Sequence, residues 1–159
     1  MIRSALPDDA DAIWAILEPV IRSGDTYALD RDMTRQEALA YWMGTAHSCF
    51  VFEDREGVIG TYYLRANQSG GGSHVANCGY MVSPAARGKG VARAMCEHSL
   101  GEAKRQGYLA MQFNFVVSSN LPAVRLWEDM GFAIAGRLPL AFRHPQSGLV
   151  DALVMHRSL

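Results

Sequence analysis

The chain has 159 residues, is 49% hydrophobic and carries a formal net charge of −1. That length predicts one domain, residues 1–159, able to bury about 70% of the surface its unfolded chain would expose. A charge so close to zero supplies no basic field for nucleic acid or an anionic membrane, and no apolar run approaches the ~20 residues that span a bilayer.

In chain order, residues 2–5 read as a first strand. Leu6-Pro7-Asp8-Asp9 starts a helix, with acidic residues in its first turn. Ile13, Ile16, Leu17, Val20 and Ile21 then recur at helical spacing, and Pro19 is expected to kink or end that helix. Residues 24–27 form a loop. Thr34 caps a second helix with Glu37 at the capping-box position. Residues 49–52 and 58–64 are strands joined by a turn, an expected hairpin. Residues 67–73, with three consecutive glycines, read as a flexible loop. Residues 74–82 form the next strand, in which Gly79 suggests a bulge or a close approach by a ligand. Residues 90–106 are a long helix stopped by Gly107. Residues 109–117 form an apolar strand with one conspicuous polar residue, Asn114. Ser119 or Asn120 caps a helix with Pro122 in its first turn. Residues 132–138 and 149–156 close the sheet. The order β-α-α-β-β-β-α-β-α-β-β predicts a mixed α/β sheet flanked by helices.

Three cysteines, Cys49, Cys78 and Cys96, make an odd count without metal-ligand spacing, so no metal site is expected. The first residues lack the apolar core of a signal peptide. A reduced, cytoplasmic protein is the expectation.

The stretch Arg87-Gly88-Lys89-Gly90-Val91-Ala92 is the most informative in the chain. It joins an apolar strand to a helix start. Glycines let the backbone close around a ligand, and the first helical amides have no partners within the helix. Such a junction suits a diphosphate. No Ser or Thr follows Gly-Lys, and a third fingerprint glycine is absent, so neither a Walker loop nor a dinucleotide fingerprint fits. The spacing Arg-x-x-Gly-x-Ala resembles the pyrophosphate loop of the GNAT acetyltransferases, which bind acetyl-CoA. Thirty positions after Gly90, the order Asn120, Ala123, Leu126, Trp127, Gly131, Phe132 resembles a second signature of that family.

The resemblance implies the GNAT fold: a mostly antiparallel mixed sheet whose two central strands splay apart. It also implies that Arg87, Gly88, Lys89, Gly90, Val91 and Ala92 hold the pyrophosphate. The pantetheine arm then enters the splay beside Met81 and Val82 like an added strand, with Asn120 as a further contact. A backbone N–H near Tyr80 or Met81 would bind the acetyl oxygen. Many members carry a tyrosine where Trp127 stands, and it protonates the leaving thiolate. Indole has no accessible acidic proton, so Trp127 is read as a wall of the cofactor site. The general acid stays unassigned, with Tyr80 or a water as stand-ins.

The general base is equally open. The strand 74–80 holds no carboxylate, and His74 at its start reads as exposed or structural. Taking a proton from a lysine-like amine at pH 7 costs about 4.6 kcal/mol, against about 1.4 kcal/mol for an α-amine. A site without a strong base therefore leans toward a lower-pKa amine, or toward base action through water. Asn77, Asn114 and Asn120 together resemble a GNAT subgroup that includes the fungal acetyltransferase of azetidine-2-carboxylate. In that subgroup the matching asparagines contribute to substrate binding and catalysis. Asp25, Thr26 and Tyr27 lie in the segment from which the superfamily draws substrate contacts.

The expected function is acetyl transfer from acetyl-CoA to the amine of a small, amino-acid-like molecule. Acetylation of a protein lysine or N-terminus is one alternative. A catalytically weak CoA-binding sensor is another. A homodimer is expected by resemblance alone.

Overall fold

The structure, a computed structural model, describes residues 1–159. The elements follow the predicted order: β1 (Ile2–Ser4), α1 (Ala10–Ser23), α2 (Arg35–Trp42), β2 (Ser48–Asp54), β3 (Gly57–Ala66), β4 (Val75–Val82), α3 (Val91–Arg105), β5 (Ala110–Val117), α4 (Leu121–Asp129), β6 (Ala133–His144) and β7 (Gly148–Ser158). The seven strands form one sheet in the order β1-β2-β3-β4-β5-β7-β6. All neighbouring pairs are antiparallel except β4 and β5.

Each half of the core follows from the two periodicities of the sequence. Along β3 and β4 successive side chains face opposite sides of the sheet. Tyr62, Leu64, Cys78 and Tyr80 join Met95, Cys96 and Leu100 of α3 in one buried cluster. Tyr63 and Met81 face the other way and meet Ile13, Ile16, Leu17, Val20 and Ile21 of α1 and Trp42 of α2. The α1 stripe carries that helix past Pro19, which is exposed, as far as Ser23. Pro19 neither ends the helix nor sits in its buried face, because Val20 and Ile21 beyond it are anchored in the core. The capping box of α2 forms as expected. Thr34 Oγ1 accepts from the Glu37 amide at 3.2 Å, and the Glu37 carboxylate accepts from the Thr34 amide at 2.8 Å.

The loop expected at residues 67–73 contains a short 3-10 turn at Gly70–Gly72. Gly79 does not mark a bulge. The β3–β4 register runs without a shift through Tyr63↔Gly79. A Cβ built on Gly79 would stand 2.6 Å from the Tyr63 ring, so the missing side chain is the space that ring fills.

The site is created by a pairing that stops. Strands β4 and β5 are in parallel register only at Val75↔Ala110 and Ala76↔Met111. Beyond them the strands diverge. On its far side β5 stays paired to β7, but with a register shift between Phe113 and Val116, which flanks Asn114. The edge strand β6 is longer than the sequence predicts and leaves Ile134, Leu138 and Leu140 exposed. No helix is long and apolar enough to cross a membrane.

Candidate active site

A cleft of about 810 Å³ opens where β4 and β5 part. Its lining contains Tyr80, Met81 and Val82 from β4, and Phe113 to Val117 from β5. Arg87, Gly88 and Gly90 line it before α3, with Val91, Ala92 and Arg93 from the start of that helix. Asn120 and Trp127 line it from the α4 side, and Asp25, Thr26 and Tyr27 from the segment between α1 and α2. All the predicted site residues except Lys89 therefore meet in one cavity.

The glycine turn leaves main-chain amides without partners at a helix start. Gly88 and Gly90 have φ of 76° and 77°, and a Cβ at either position would meet nothing within 4 Å. This left-handed backbone is one that glycine adopts without strain. A 3-10 turn (Pro84–Ala86) precedes it and uses two amides, Arg87 N–H to Pro84 O and Lys89 N–H to Ala86 O. The amides of Gly88, Gly90, Val91, Ala92 and Arg93 have no such partner. The first intrahelical bond is that from Ala94 to Gly90 O. Free N–H groups at a helix N-terminus carry a partial positive charge that suits an anion. Lys89 departs from the expectation. Its amide is spent internally, and its side chain is exposed outside the cleft lining. Arg93, the third residue of α3, also lines the cleft, and the motif spacing does not single it out.

Asn77 sits at the fork itself. It is buried, and its Nδ2 donates to the Gln112 carbonyl of β5 at 3.0 Å, the first residue past the paired stretch. Its Oδ1 accepts from the Tyr63 hydroxyl at 3.3 Å. Asn114 is exposed. Its Nδ2 donates to Asn67 Oδ1 at 2.7 Å, and its Oδ1 accepts from Gln112 Nε2 at 3.0 Å. Asn120 caps α4 by accepting from the Ala123 amide at 3.4 Å. His74 is exposed, immediately before β4 and outside the cleft lining.

Tyr80 presents its main chain to one partner and its ring to another. The Tyr27 hydroxyl accepts from the Tyr80 amide at 2.8 Å and donates to the Tyr80 carbonyl at 2.7 Å. Burial pushes the Tyr27 phenol well above its ordinary pKa, so it stays protonated and able to donate. The Tyr80 hydroxyl is turned into the core, 2.7 Å from Ser99 Oγ. Desolvation raises its pKa strongly as well. Trp127 stacks its ring 5.1 Å from Tyr80 and 5.0 Å from Phe113, forming an aromatic wall at the cleft. Asp25 is the one carboxylate among the lining residues. No group of three or more His, Cys, Asp or Glu side chains is placed to hold a metal ion.

The comparisons agree with this geometry. The family model described as "Acetyltransferase (GNAT) family" matches residues 12–132. The N-acetyltransferase aca1 of Schizosaccharomyces pombe is 32% identical over 151 residues, covering 84% of this chain and 72% of that protein. A GCN5-related N-acetyltransferase from Kribbella flavida superposes with a TM-score of 0.95 at 40% identity, over 100% of this chain and 97% of that one. The fold is also that of yncA from Salmonella typhimurium, solved with its cofactor acetyl-CoA, with a TM-score of 0.87 at 24% identity over 100% and 93% of the two chains. The chain belongs to the acetyltransferase (GNAT) family, and as such it is an acetyl-CoA-dependent N-acetyltransferase.

Proposed function

We propose that this protein transfers acetyl from acetyl-CoA directly to the amine of a small, amino-acid-like molecule, within one domain spanning residues 1–159. The observation that carries this reading is the interrupted β4–β5 pairing, with free amides at one end of the opening and neutral side-chain amides at the other. The pyrophosphate is held by the amides of Gly88, Gly90, Val91, Ala92 and Arg93, and the side chain of Arg87, which lines the cleft, adds charge. The pantetheine arm lies along Met81 and Val82 between the strands, with Trp127 as a wall and Asn120 as a contact. The acetyl oxygen takes the Tyr80 amide in place of the Tyr27 hydroxyl. Such a donor, aimed where charge develops, is worth several kcal/mol in a transition state, about 3 by analogy with other oxyanion sites.

Direct transfer is favoured over a cysteine intermediate. Cys78 lines the cleft, but burial pushes its thiol up to about 12, which keeps it protonated and unreactive. The Tyr80 hydroxyl is committed to Ser99, so the role proposed for Tyr80 is carried by its main chain. Asp25 is the group proposed to attract the acceptor's ammonium. Thr26 and Tyr27 complete that wall.

Asn114→Ala should lower turnover about tenfold while leaving acetyl-CoA affinity within a factor of two, since one hydrogen bond is lost on the acceptor side. Steady-state kinetics beside calorimetric titration of acetyl-CoA measures both. If neither moves, Asn114 serves only to tie β5 to Asn67.

The function itself is tested by thiol release from acetyl-CoA over a panel of amino acids, their analogues, polyamines and peptides with free termini. Turnover confined to peptides would favour a protein acetyltransferase. Acetyl-CoA binding without turnover on any amine would contradict the small-molecule reading. The exposed apolar residues of β6 support a homodimer, which light scattering on the purified protein checks. The charge balance supports a partner that is neither nucleic acid nor membrane, and the three cysteines, odd in number and without metal-ligand spacing, support a reduced cytoplasmic protein without a metal.

A further inference from the structure

Arg65 is the last residue but one of β3, after the buried residues 60–64, and it carries a charge no neighbour neutralises. None of the seven ion pairs in the protein includes it. Its Nε is the only buried side-chain nitrogen or oxygen in the protein without a hydrogen-bond partner. A buried, unpaired donor on a cation is costly, and native structures seldom keep one without a use.

The surroundings of Arg65 fix it in place. Its guanidinium lies over the rings of Tyr63 and Tyr41, at 5.5 Å and 6.0 Å from their centroids. Its Nη1 lies 3.4 Å from His47 Nε2. The His47 ring stacks on Tyr63 at 5.0 Å, and its Nδ1 faces the Trp42 carbonyl at 3.4 Å. Donation from Nδ1 to that carbonyl leaves Nε2 with a lone pair for Arg65. Burial, and secondarily the Arg65 charge itself, lowers the His47 pKa and keeps the ring neutral. One nitrogen of the guanidinium is thereby occupied, and the remaining fork, Nε with Nη2, is left over. That fork matches the two oxygens of a carboxylate.

Arg65 also stands in the proposed site. It lines the cleft and is paired in register with Asn77, so both side chains rise from the same face of the sheet. Asp25 lines the same cleft and is not among the partners of Arg65. Arg87 and Arg93 also line the cleft, beside the glycine turn; apart from them it presents one cation outside any ion pair, Arg65, and one carboxylate, Asp25, the complement of a zwitterion.

Resting on the amino-acid reading above, we propose that the Nε–Nη2 edge of Arg65, braced by His47 and backed by Tyr41 and Tyr63, receives the carboxylate of the acceptor. Arg65 is then a specificity-determining residue. It selects amines that carry a carboxylate close by, and it excludes polyamines, whose charge it repels.

The test uses two pairs of ligands that differ only at the carboxyl group: azetidine-2-carboxylate with its carboxamide, and alanine with alaninamide. Binding to the whole protein in the presence of CoA is measured by calorimetry. The wild type should prefer at least one carboxylate over its carboxamide by about tenfold or more. Arg65→Met, of similar length and apolar bulk, should bring that ratio to about one. Arg65→Lys keeps the charge but not the fork and should fall between. Retained acetyl-CoA binding shows that each variant is folded. No preference in the wild type, an undiminished preference in Arg65→Met, or no binding of any of the four ligands overturns the proposal. Its failure is separable from that of the function. Carboxylate preference without acetyl transfer to any amine would contradict the function and leave the subsite standing. Transfer that ignores the carboxyl group would do the reverse.

Discussion

Gly90→Glu should reduce acetyl-CoA affinity by at least about 100-fold while leaving the protein folded. Gly90 is the residue from which α3 starts, and its own amide is one of the five that lack a partner. A Cβ there meets no atom within 4 Å, so the substitution starts in open space. It does place a carboxylate in the space the diphosphate needs, where like charges repel strongly. Part of the effect will be backbone strain, because φ is +77° and an L-residue pays about 1–2 kcal/mol for that conformation. Gly90→Ala carries the strain without the charge and measures that part separately. Calorimetric titration gives the affinities, and thermal unfolding followed by circular dichroism gives the stabilities. Unchanged affinity in Gly90→Glu would place the phosphates elsewhere.

Asn77→Asp should destabilise the fold by about 2 kcal/mol near neutral pH and lower turnover tenfold or more. The substitution is nearly isosteric. The introduced carboxylate can still accept from Tyr63, but it replaces the donor that now reaches the Gln112 carbonyl. Two oxygens would then face each other across the point where β4 and β5 separate, and the width of the cleft depends on that point. Protonation would restore a donor, so the folded state raises the pKa of the introduced group above its unfolded value, near 3.9. Such a group binds more protons folded than unfolded. The stability gap to the wild type is therefore widest above the raised pKa and narrows as pH falls through it. Denaturant unfolding at several pH values reads this directly. A gap independent of pH would mean that the Asn77–Gln112 bond does not set the geometry.

The parts of this molecule that were legible in its sequence are those governed by neighbours in the chain. The glycine turn, the Thr34–Glu37 capping box and the cap at Asn120 each depend on residues within a few positions, and each stands where the sequence puts it. The stripe on α1 is equally local, although Pro19 obscured its length. What could not be read depends on contacts across the sheet. Gly79 is explained by a ring sixteen residues earlier in the chain, on the neighbouring strand. The hydroxyl of Tyr27 finds its partners 53 residues away. Nothing in the sequence announces the tight turn in which the Lys89 amide bonds to the Ala86 carbonyl. Arg65 did leave a signal: it is the one charge in the stretch Gly60 to Ala66, two positions after Tyr63 and so on the same face. Only the structure reveals that no carboxylate answers it.

The parting of β4 and β5 has a thermodynamic consequence. A sheet ordinarily leaves unpaired main chain at its rim, where water serves it. Here a rim runs through the interior, beside Phe113 and Trp127, where a bound pantetheine arm would serve it as an added strand. Only the native state can bind a molecule that fills that place, so heat resistance should track the supply of acetyl-CoA. At 100 times the dissociation constant the gain is about 2.7 kcal/mol, equivalent to a rise of roughly 5–10 °C in melting temperature for a chain of this size. In a cell short of acetyl-CoA, the idle enzyme would be the more fragile one.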